Sequence, residues 1–333
     1  MTVLSTFLSA ALLAASPSLA AYTLKREYSG SNFTNGFDFK TAANFPGSGD
    51  PTNGFVNYVS KTTATNNGLS KVVNGQVYLG ADSTKTIATS AQGRDSIRLE
   101  SKESFTLGLL IADIAHMPGN ACGIWPAFWT FNFAEDPYGE IDIIEGISNQ
   151  ANNDVSLHTC GSCQFDFSKS SGTEPRNDCD LGGGSQGCSD EFVTNPSGCG
   201  NTGPSGSYAN KFNAAGGGVY ATEVTASSLK IWYFAKTAIP ADITSGKPNP
   251  AGWPAPFLNA QQSQKGCNVG SYFKKQSIII NIDFCGSNID QATWNGDSSC
   301  KSKASTCEGF VAANPTAFKE AYWLFNSIKL YQQ

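Results

Sequence analysis

The feature that most constrains this chain is a series of short β-prone segments separated by clusters of Gly, Asn, Pro and Ser. In one of them, Ile97 and Leu99 alternate with Arg98 and Glu100, as expected for a strand with one face in the core. Many short strands at this spacing predict an all-β sandwich or barrel. The β-prone segments are 54–59, 76–79, 96–101, 105–111, 141–144, 229–234, 277–283 and 322–331.

Composition favours the same fold class. Charged residues make up 15% of the chain, against about 25% in average soluble domains, and Gly accounts for 34 of 333 residues. Long surface helices would require more Glu, Lys and Arg, so we expect a helix only at 314–322, where Pro315 suits a first turn. No linker or internal repeat divides the sequence. We therefore predict one domain over 21–333, with its excess length in a long loop at 159–218.

The first 20 residues form an apolar stretch that ends in Ser-Leu-Ala. We interpret residues 1–20 as a secretory signal peptide, with a membrane anchor as the alternative interpretation. The stretch is short for a spanning helix, which needs about 20 apolar residues. The C-terminal sequence NSIKLYQQ lacks the hydrophobic tail of a GPI signal. The expected product is a secreted, extracellular protein without a membrane partner.

The ten cysteines, an even number in an exported chain, predict disulfides whose connectivity stays open. The alternative for Cys160 and Cys163 is a redox or zinc pair. Asn32 begins an N-glycosylation sequence, Asn-Phe-Thr, which requires a surface position. A net charge of −5 and a pI near 5.1 provide no electrostatic footprint for nucleic acid or for an anionic membrane.

The segment GEIDIIEG at 139–146 interleaves three acids with isoleucines in a β-prone run. Strict alternation would place Glu140 and Asp142 on one face of the strand and Glu145 on the other. One β-bulge between Asp142 and Glu145 would shift the register and bring all three acids to one face. At about 3.3 Å per residue, the Cα atoms of the two glutamates would then lie about 13 Å apart, a gap that their leaning side chains could largely close.

Paired carboxylates on one face are what glycosidic cleavage requires, one as nucleophile and one as acid and then base. An aspartate between them can hydrogen-bond the nucleophile and keep the proton affinities of the two glutamates different. Two other interpretations remain open for these acids, a solvated strand face and a calcium site built from three carboxylates.

Aromatic residues precede the acidic segment in Trp125-Pro-Ala-Phe-Trp129. The two tryptophans are four residues apart, so they share a face of their strand, and an antiparallel pairing would bring both beside the acids. Sugar clefts use such rings because pyranose faces are apolar. His158, in a third β-prone run, is a candidate for a hydrogen bond into the cleft. Core packing for the tryptophans and a structural role for the histidine are the alternatives.

At these residues the sequence resembles glycoside hydrolase family 16, specifically its fungal secreted laminarinase-like endo-1,3(4)-β-glucanases. The resemblance spans nearly the whole chain after residue 20. It rests on the ordered motifs DPTNGFVNY, GRDSIRLES, HMPG, WPAFW, GEIDIIEG, VSLH, FN, GGGVY, NIDFCG and EAYW.

The resemblance implies a jelly-roll β-sandwich with a concave substrate cleft and long disulfide-tied loops. It also implies a retaining reaction on β-1,3-glucan or mixed β-1,3/1,4-glucan. We expect this reaction to need no cofactor or catalytic metal, and we expect the enzyme to be a monomer. Glu140 corresponds to the nucleophile, Glu145 to the general acid/base and Asp142 to the assisting carboxylate, with the spacing of the bulged subgroup. The positions that the family uses around the cleft are matched by Trp125, Trp129, His158 and Arg94.

The sequence departs from the family in two places where relatives carry a Trp. In the loop before the acidic strand, this chain has the sequence NFAEDPY at 132–138, which contains no Trp. Further on, it has Cys285-Gly-Ser-Asn288 where relatives have Cys-Gly-Asp-Trp. Trp294 is a candidate replacement for one of the missing rings. Two further functions remain open, a glucan transglycosylase that uses the same intermediate and a glucan-binding module without activity.

Overall fold

A computed structural model describes residues 21–45, 49–132, 138–160, 163–180, 198–263 and 268–333. The predicted signal peptide and the cysteines at 188 and 267 lie outside these residues. Within them, no helix is both long enough and apolar enough to cross a membrane.

The described chain is mainly β-structure, and strands form at all eight predicted segments. The strands are β1 Thr23–Ser29, β2 Phe37–Phe39, β3 Val56–Tyr58, β4 Ser70–Val73, β5 Gln76–Gly80, β6 Arg94–Ser96, β7 Arg98–Phe105, β8 Gly108–His116, β9 Ile124–Phe131, β10 Gly139–Glu145, β11 Asp154–Thr159, β12 Phe165–Asp166, β13 Thr173–Arg176, β14 Cys199–Thr202, β15 Gly218–Val224, β16 Ser228–Ala235, β17 Leu258–Gln262, β18 Gln276–Phe284 and β19 Tyr322–Gln332.

The α-helices of the described residues are short. They are α1 Lys61–Asn66, α2 Ala209–Ala214, α3 Ala241–Thr244, α4 Val269–Tyr272, α5 Gln291–Gly296, α6 Ser298–Lys301 and α7 Cys307–Ala313. The prediction of a helix at 314–322 was wrong in extent, because only Pro315–Phe318 is helical there, as a 3₁₀ turn before β19.

Two large sheets pack face to face as a β-jelly roll. One, the outer sheet, has the order β12-β17-β16-β15-β8-β19-β5-β4, with β1 also paired to β19. The other, the cleft sheet, has the order β13-β14-β11-β10-β9-β18-β7-β2. The strand pairs of both sheets are antiparallel, whereas β3 and β6 form a separate parallel pair. The acidic strand β10 therefore lies inside the cleft sheet, between β11 and β9.

The main core fills the space between the sheets. Its buried residues include Ile141 and Ile144 from β10, Leu157 from β11 and Ile280 from β18. The acidic strand thus presents its isoleucines to this core, which fixes the face on which its acids emerge. A smaller cluster on the outer sheet includes Trp232 and is covered by residues of the segment 239–253.

Disulfides tie the long connections to the sheets. Cys122–Cys300 and Cys285–Cys307 attach the segment that holds α5 to α7, and Cys179–Cys199 joins residues on either side of the undescribed part of the long loop. Cys160 and Cys163 are also disulfide-bonded. The prediction of disulfides is confirmed for the described cysteines, and the disulfide-bonded state of Cys160 and Cys163 contradicts the zinc alternative. Such cross-links stabilise mainly by restricting the unfolded chain.

Candidate active site

The predicted bulge is present in β10. Asp142 pairs with Trp129 of β9, but Ile144 pairs with Phe128, so the register shifts by one residue between them. Ile143 is the additional residue, and Ile143 and Ile144 are both fully buried. As a result, Glu145 turns to the face that already carries Glu140 and Asp142.

The three acids line one cleft on the cleft sheet. Two adjoining pockets of about 500 and 490 Å³ meet there, and both are lined by Glu140, Asp142 and Glu145. The sequence prediction that a register shift gathers these side chains is therefore confirmed by the geometry. The cleft extends to both sides of the carboxylates, across β11 in one direction and across β9 and β18 in the other.

Glycines flank the acidic strand because neighbouring groups approach too closely for a side chain. A Cβ at Gly139 would lie 2.2 Å from the carbonyl oxygen of Tyr272. A Cβ at Gly146 would lie 2.6 Å from the ring of Tyr208. The G-E-I-D-I-I-E-G pattern thus combines a strand with two close-packed ends.

Each of the three carboxylates has its own polar partner. The Tyr138 hydroxyl donates to Glu140 Oε2 over 2.6 Å. The Trp125 indole N–H donates to Glu145 Oε1 over 2.7 Å. His158, which pairs with Glu140 across β10 and β11, brings Nε2 to 3.1 Å from Asp142 Oδ2.

Burial governs the proton affinities in this cluster. It raises the pKa of Glu140, Asp142 and Glu145 above their ordinary values, and charge on Asp142 raises the pKa of both glutamates further. The hydroxyl of Tyr138 lowers the pKa of Glu140, and the indole of Trp125 lowers that of Glu145. Since neighbouring buried carboxylates resist simultaneous ionisation, the cluster can retain a proton at neutral pH and still hold an anion.

One ligand atom each from Glu140, Asp142 and His158 lie within 4.8 Å of one another. This spacing would suit a cation, and within the group His158 and Asp142 lie at hydrogen-bonding distance, 3.1 Å. The proximity of His158 to the acids agrees with its predicted place at the cleft.

The two predicted tryptophans both line the cleft, on the strand beside the acids. Trp129 donates its indole N–H to Asn281 Oδ1 over 2.8 Å, and the Arg98 guanidinium lies over its ring at 5.2 Å. Arg98 also lies over the ring of Phe45 at 4.9 Å. The aromatic wall is therefore partly built around an arginine.

The prediction that Arg94 contacts the substrate was wrong. Its side chain is fully buried and donates to Asp82 Oδ2 over 3.1 Å and to the Val311 carbonyl, away from the cleft. The guanidinium N–H groups of Arg94 connect the loop after β5 to α7, so its role is structural. The arginine of the same motif that lines the cleft is Arg98. The alternation around Ile97 and Leu99 predicts that Arg98 points away from the core, but it does not by itself place Arg98 in the cleft.

The replacement ring predicted at Trp294 is also absent from the cleft. Trp294 is buried, donates to the Ala304 carbonyl over 3.0 Å and packs against Phe310. The loop before β10 instead contributes Tyr138, whose ring packs edge-on against Phe131 at 4.9 Å. Sequence reasoning missed Tyr138, although it stands two residues before Glu140.

Comparison with known proteins agrees with this geometry. Residues 43–331 match the family described as "XgeA-like, catalytic GH16 domain". A probable endo-1,3(4)-β-glucanase of Aspergillus clavatus is 41% identical over 319 residues, covering 94% of this chain and 46% of that protein. An endo-1,3(4)-β-glucanase of Arthroderma benhamiae is 41% identical over 324 residues, 94% of this chain and 65% of that protein. The chain spans about half the length of several curated relatives that it matches.

Two solved structures are similar over 94% of this chain and 100% of their own. One is an elongating GH family 16 β-1,3-glucosyltransferase, 41% identical with a TM-score of 0.82. The other is Laminarinase 16A from Phanerochaete chrysosporium, with β-glucans in both donor and acceptor sites, 35% identical with a TM-score of 0.80. The family match and the identities above 30% agree with the bulged acidic strand, and this chain belongs to glycoside hydrolase family 16.

Proposed function

We propose that this protein is a retaining endo-β-glucanase that hydrolyses β-1,3-glucan and mixed β-1,3/1,4-glucan by double displacement. The single observation that carries the proposal is the bulge at Ile143, which places Glu140, Asp142 and Glu145 on one wall of a cleft. The names of relatives at about 40% identity, which are endo-1,3(4)-β-glucanases, support the substrate class.

In the first step, the Glu140 carboxylate attacks the anomeric carbon while Glu145 donates its proton to the departing glycosidic oxygen. In the second step, Glu145 accepts a proton from water, whose oxygen bonds to the anomeric carbon as the bond to Glu140 breaks. Two inversions at one carbon retain the configuration. Asp142 lies between the two glutamates and contacts His158, and its charge raises the pKa of both glutamates.

Cleavage within the glucan chain fits a cleft that continues on both sides of the carboxylates. Toward β9 the lining is aromatic, with Trp129, Phe131 and Tyr138, which suits stacking against sugar faces. Toward β11 the lining is more polar, with side chains such as Ser156 and Arg176 that can hydrogen-bond hydroxyls.

The second candidate function is transglycosylation, in which a sugar hydroxyl replaces water in the second step. The specific observation that favours it is the 41% identity to an elongating β-1,3-glucosyltransferase over the full length of that chain. Incubating the protein with laminarihexaose at rising concentration and sizing the products separates the two. If hydrolysis dominates, shorter oligosaccharides remain the main products as concentration rises, whereas a transferase forms mainly products longer than the substrate.

The test of the catalytic assignment is Glu140→Ser, with Glu308→Ser as the matched control at an exposed glutamate of α7. Glu140→Ser should abolish laminarin hydrolysis and leave laminarin binding, and the control should leave both unchanged. Undiminished turnover in Glu140→Ser would reassign the nucleophile. Proton NMR should detect the β-anomer as the first product, and an initial α-anomer would exclude double displacement.

We also infer that residues 21–333 form one catalytic domain of a secreted, monomeric protein whose residues 1–20 are a signal peptide. Two observations support export: the described cysteines are disulfide-bonded, and Asn32 of the glycosylation sequence is exposed in a 3₁₀ turn at Gly30–Gly36. N-terminal sequencing of the exported protein tests this inference, with Ala21 expected as the first residue.

A further inference from the structure

The bulge in β10 leaves backbone groups that its neighbour β11 does not pair. The β10–β11 ladder ends at the pair Asp142–Ser156. Continued in register, it would set Ile143 opposite Val155 and Glu145 opposite Asn153, but the bulged segment carries no such pairs in the described ladder. Buried backbone groups require partners, so the Ile143 carbonyl and the Glu145 N–H must find others.

The side chain of Asn153 supplies both partners. Its Oδ1 accepts the N–H of Glu145 over 2.9 Å, and its Nδ2 donates to the carbonyl of Ile143 over 2.8 Å. Asn153 is fully buried, immediately before the first residue of β11. The side-chain amide of Asn153 thus makes the two hydrogen bonds that the backbone of β11 does not make at the bulge.

The backbone of Asn153 is engaged elsewhere. Its N–H donates to Ser207 Oγ over 3.2 Å, and its carbonyl accepts the N–H of Gly203 over 2.7 Å. These bonds turn its backbone away from β10 and leave the side chain to face the bulge. The position of Asn153 is therefore set by the segment between β14 and α2, independently of β10.

We propose that Asn153 is a positioning residue that locks the bulge and so aims Glu145 into the cleft. The inference rests on the proposed function, because it assigns Asn153 a part in the proton transfer by Glu145. A strand without this lock can shift by one residue, and such a shift exchanges the two faces of the strand. Glu145 would then turn toward the core and Ile144 toward the cleft. Asn153 itself contacts neither the substrate nor the reacting atoms.

A positioning role for Asn153 predicts a loss of activity that depends on the leaving group of the substrate, whereas a general loss of protein stability does not. Misplacing Glu145 impairs proton donation to the glycosidic oxygen, the step on which a sugar leaving group depends. A nitrophenolate leaves as a stable anion and needs no proton. Azide can likewise attack the anomeric carbon of the glycosyl enzyme, displace the Glu140 carboxylate and form a β-glycosyl azide without a base.

The experiment compares Asn153→Ala with wild type on laminarin and on an activated nitrophenyl β-laminarioside. For Asn153→Ala, kcat/KM should fall about 100-fold on laminarin and less than about 10-fold on the activated substrate. Azide should increase its turnover of the activated substrate and yield the β-glycosyl azide. The matched control is Asn201→Ala, an equally buried asparagine of β14 whose Nδ2 donates to the Phe257 carbonyl over 3.0 Å. This control should change both substrates by the same factor.

Equal losses on both substrates in Asn153→Ala, without rescue by azide, would overturn the proposal. If that variant does not fold, Asn153→Asp is measured in the same way, because it keeps the shape and the acceptor but lacks the donor to Ile143. Equal losses in Asn153→Asp would again overturn it. Glu145→Ala distinguishes failure of the proposed role of Glu145 from failure of its positioning by Asn153. If this variant shows neither selective loss nor azide rescue, the proposed role of Glu145 is wrong.

Discussion

Tyr138→Phe tests how a hydrogen bond favours the ionised form of Glu140, the proposed nucleophile. The substitution removes the hydroxyl that donates to Glu140 Oε2 over 2.6 Å and keeps the ring that packs on Phe131. Hydrogen bonds to charged groups contribute about 1.5–3 kcal/mol, and water can replace part of that at this partly exposed position. A net loss of about 1.4 kcal/mol raises the pKa of the Glu140 carboxyl by about one unit.

The sign of the effect follows from the proposed role of Glu140 as the nucleophile. The nucleophile must be ionised, so kcat/KM increases with pH through the pKa of Glu140. Losing a donor to the carboxylate disfavours the ionised form and raises that pKa. The acidic limb of the profile should therefore move upward by about one pH unit in Tyr138→Phe.

The assay is kcat/KM on laminarin from the acidic into the alkaline range, with thermal unfolding measured at each pH. The matched control is Tyr22→Phe, which removes a similar hydroxyl bond to Glu223 Oε1 at 3.0 Å outside the cleft. The control should leave the limb in place. An acidic limb that does not move in Tyr138→Phe, or that moves to lower pH, would refute the reasoning.

Three further predictions use the same measurements. Trp125→Phe removes the 2.7 Å donor to Glu145 and raises the pKa of that acid, so the basic limb of kcat/KM should move upward by roughly one unit, and an unchanged limb would contradict this. Glu140→Gln removes a carboxyl whose pKa is raised to about 8 in the fold, so wild type should lose stability as pH rises from about 4.5 toward 8. The variant should lose less stability in thermal unfolding over that range, by about 5 kcal/mol at most, and an equal loss would count against the prediction. Arg94→Met should cost about 3–5 kcal/mol of stability with KM unchanged, whereas Arg98→Met should raise KM, and the reverse pattern in kinetics and unfolding would restore Arg94 to the cleft.

The acidic strand was predictable because its chemistry and its periodicity conflict. Three acids and three isoleucines cannot all be placed by strict alternation, and one additional residue resolves the conflict. The buried Ile143 and Ile144 and the register shift after Asp142 confirm that solution. The tryptophans followed from the same reasoning, since an antiparallel neighbour was enough to bring them to the acids.

Arg94 was assigned to the cleft from the family resemblance, and the structure places it in a different strand pair from Arg98. Arg94 belongs to β6, which pairs with β3, whereas Arg98 begins β7 of the cleft sheet. The chain leaves one ladder and enters another at Ile97. Nothing in the local sequence marks that change, so the motif alone could not select between the two arginines.

The helices of 291–313 were missed for a different reason. They have capping residues that the sequence displays, with Asp290, Asp297 and Thr306 each accepting backbone N–H groups. However, the helices contain only four to seven residues, too few for a helical period to emerge. Two disulfides and packing against the core hold them in place of intrinsic helix stability.

The two ends of β10 are held by side-chain amides, and electrostatics explains that choice of residue. Asn132 Oδ1 accepts the N–H of Gly139, Gln276 Nε2 donates to the Gly139 carbonyl, and Asn153 serves both groups of the bulge. An amide offers a donor and an acceptor without a net charge. A lysine or arginine at these places would lower the pKa values of the nearby carboxyl groups, and an aspartate would raise them. Neutral amides can therefore fix the backbone of β10 and leave its three acids to set one another's proton affinities.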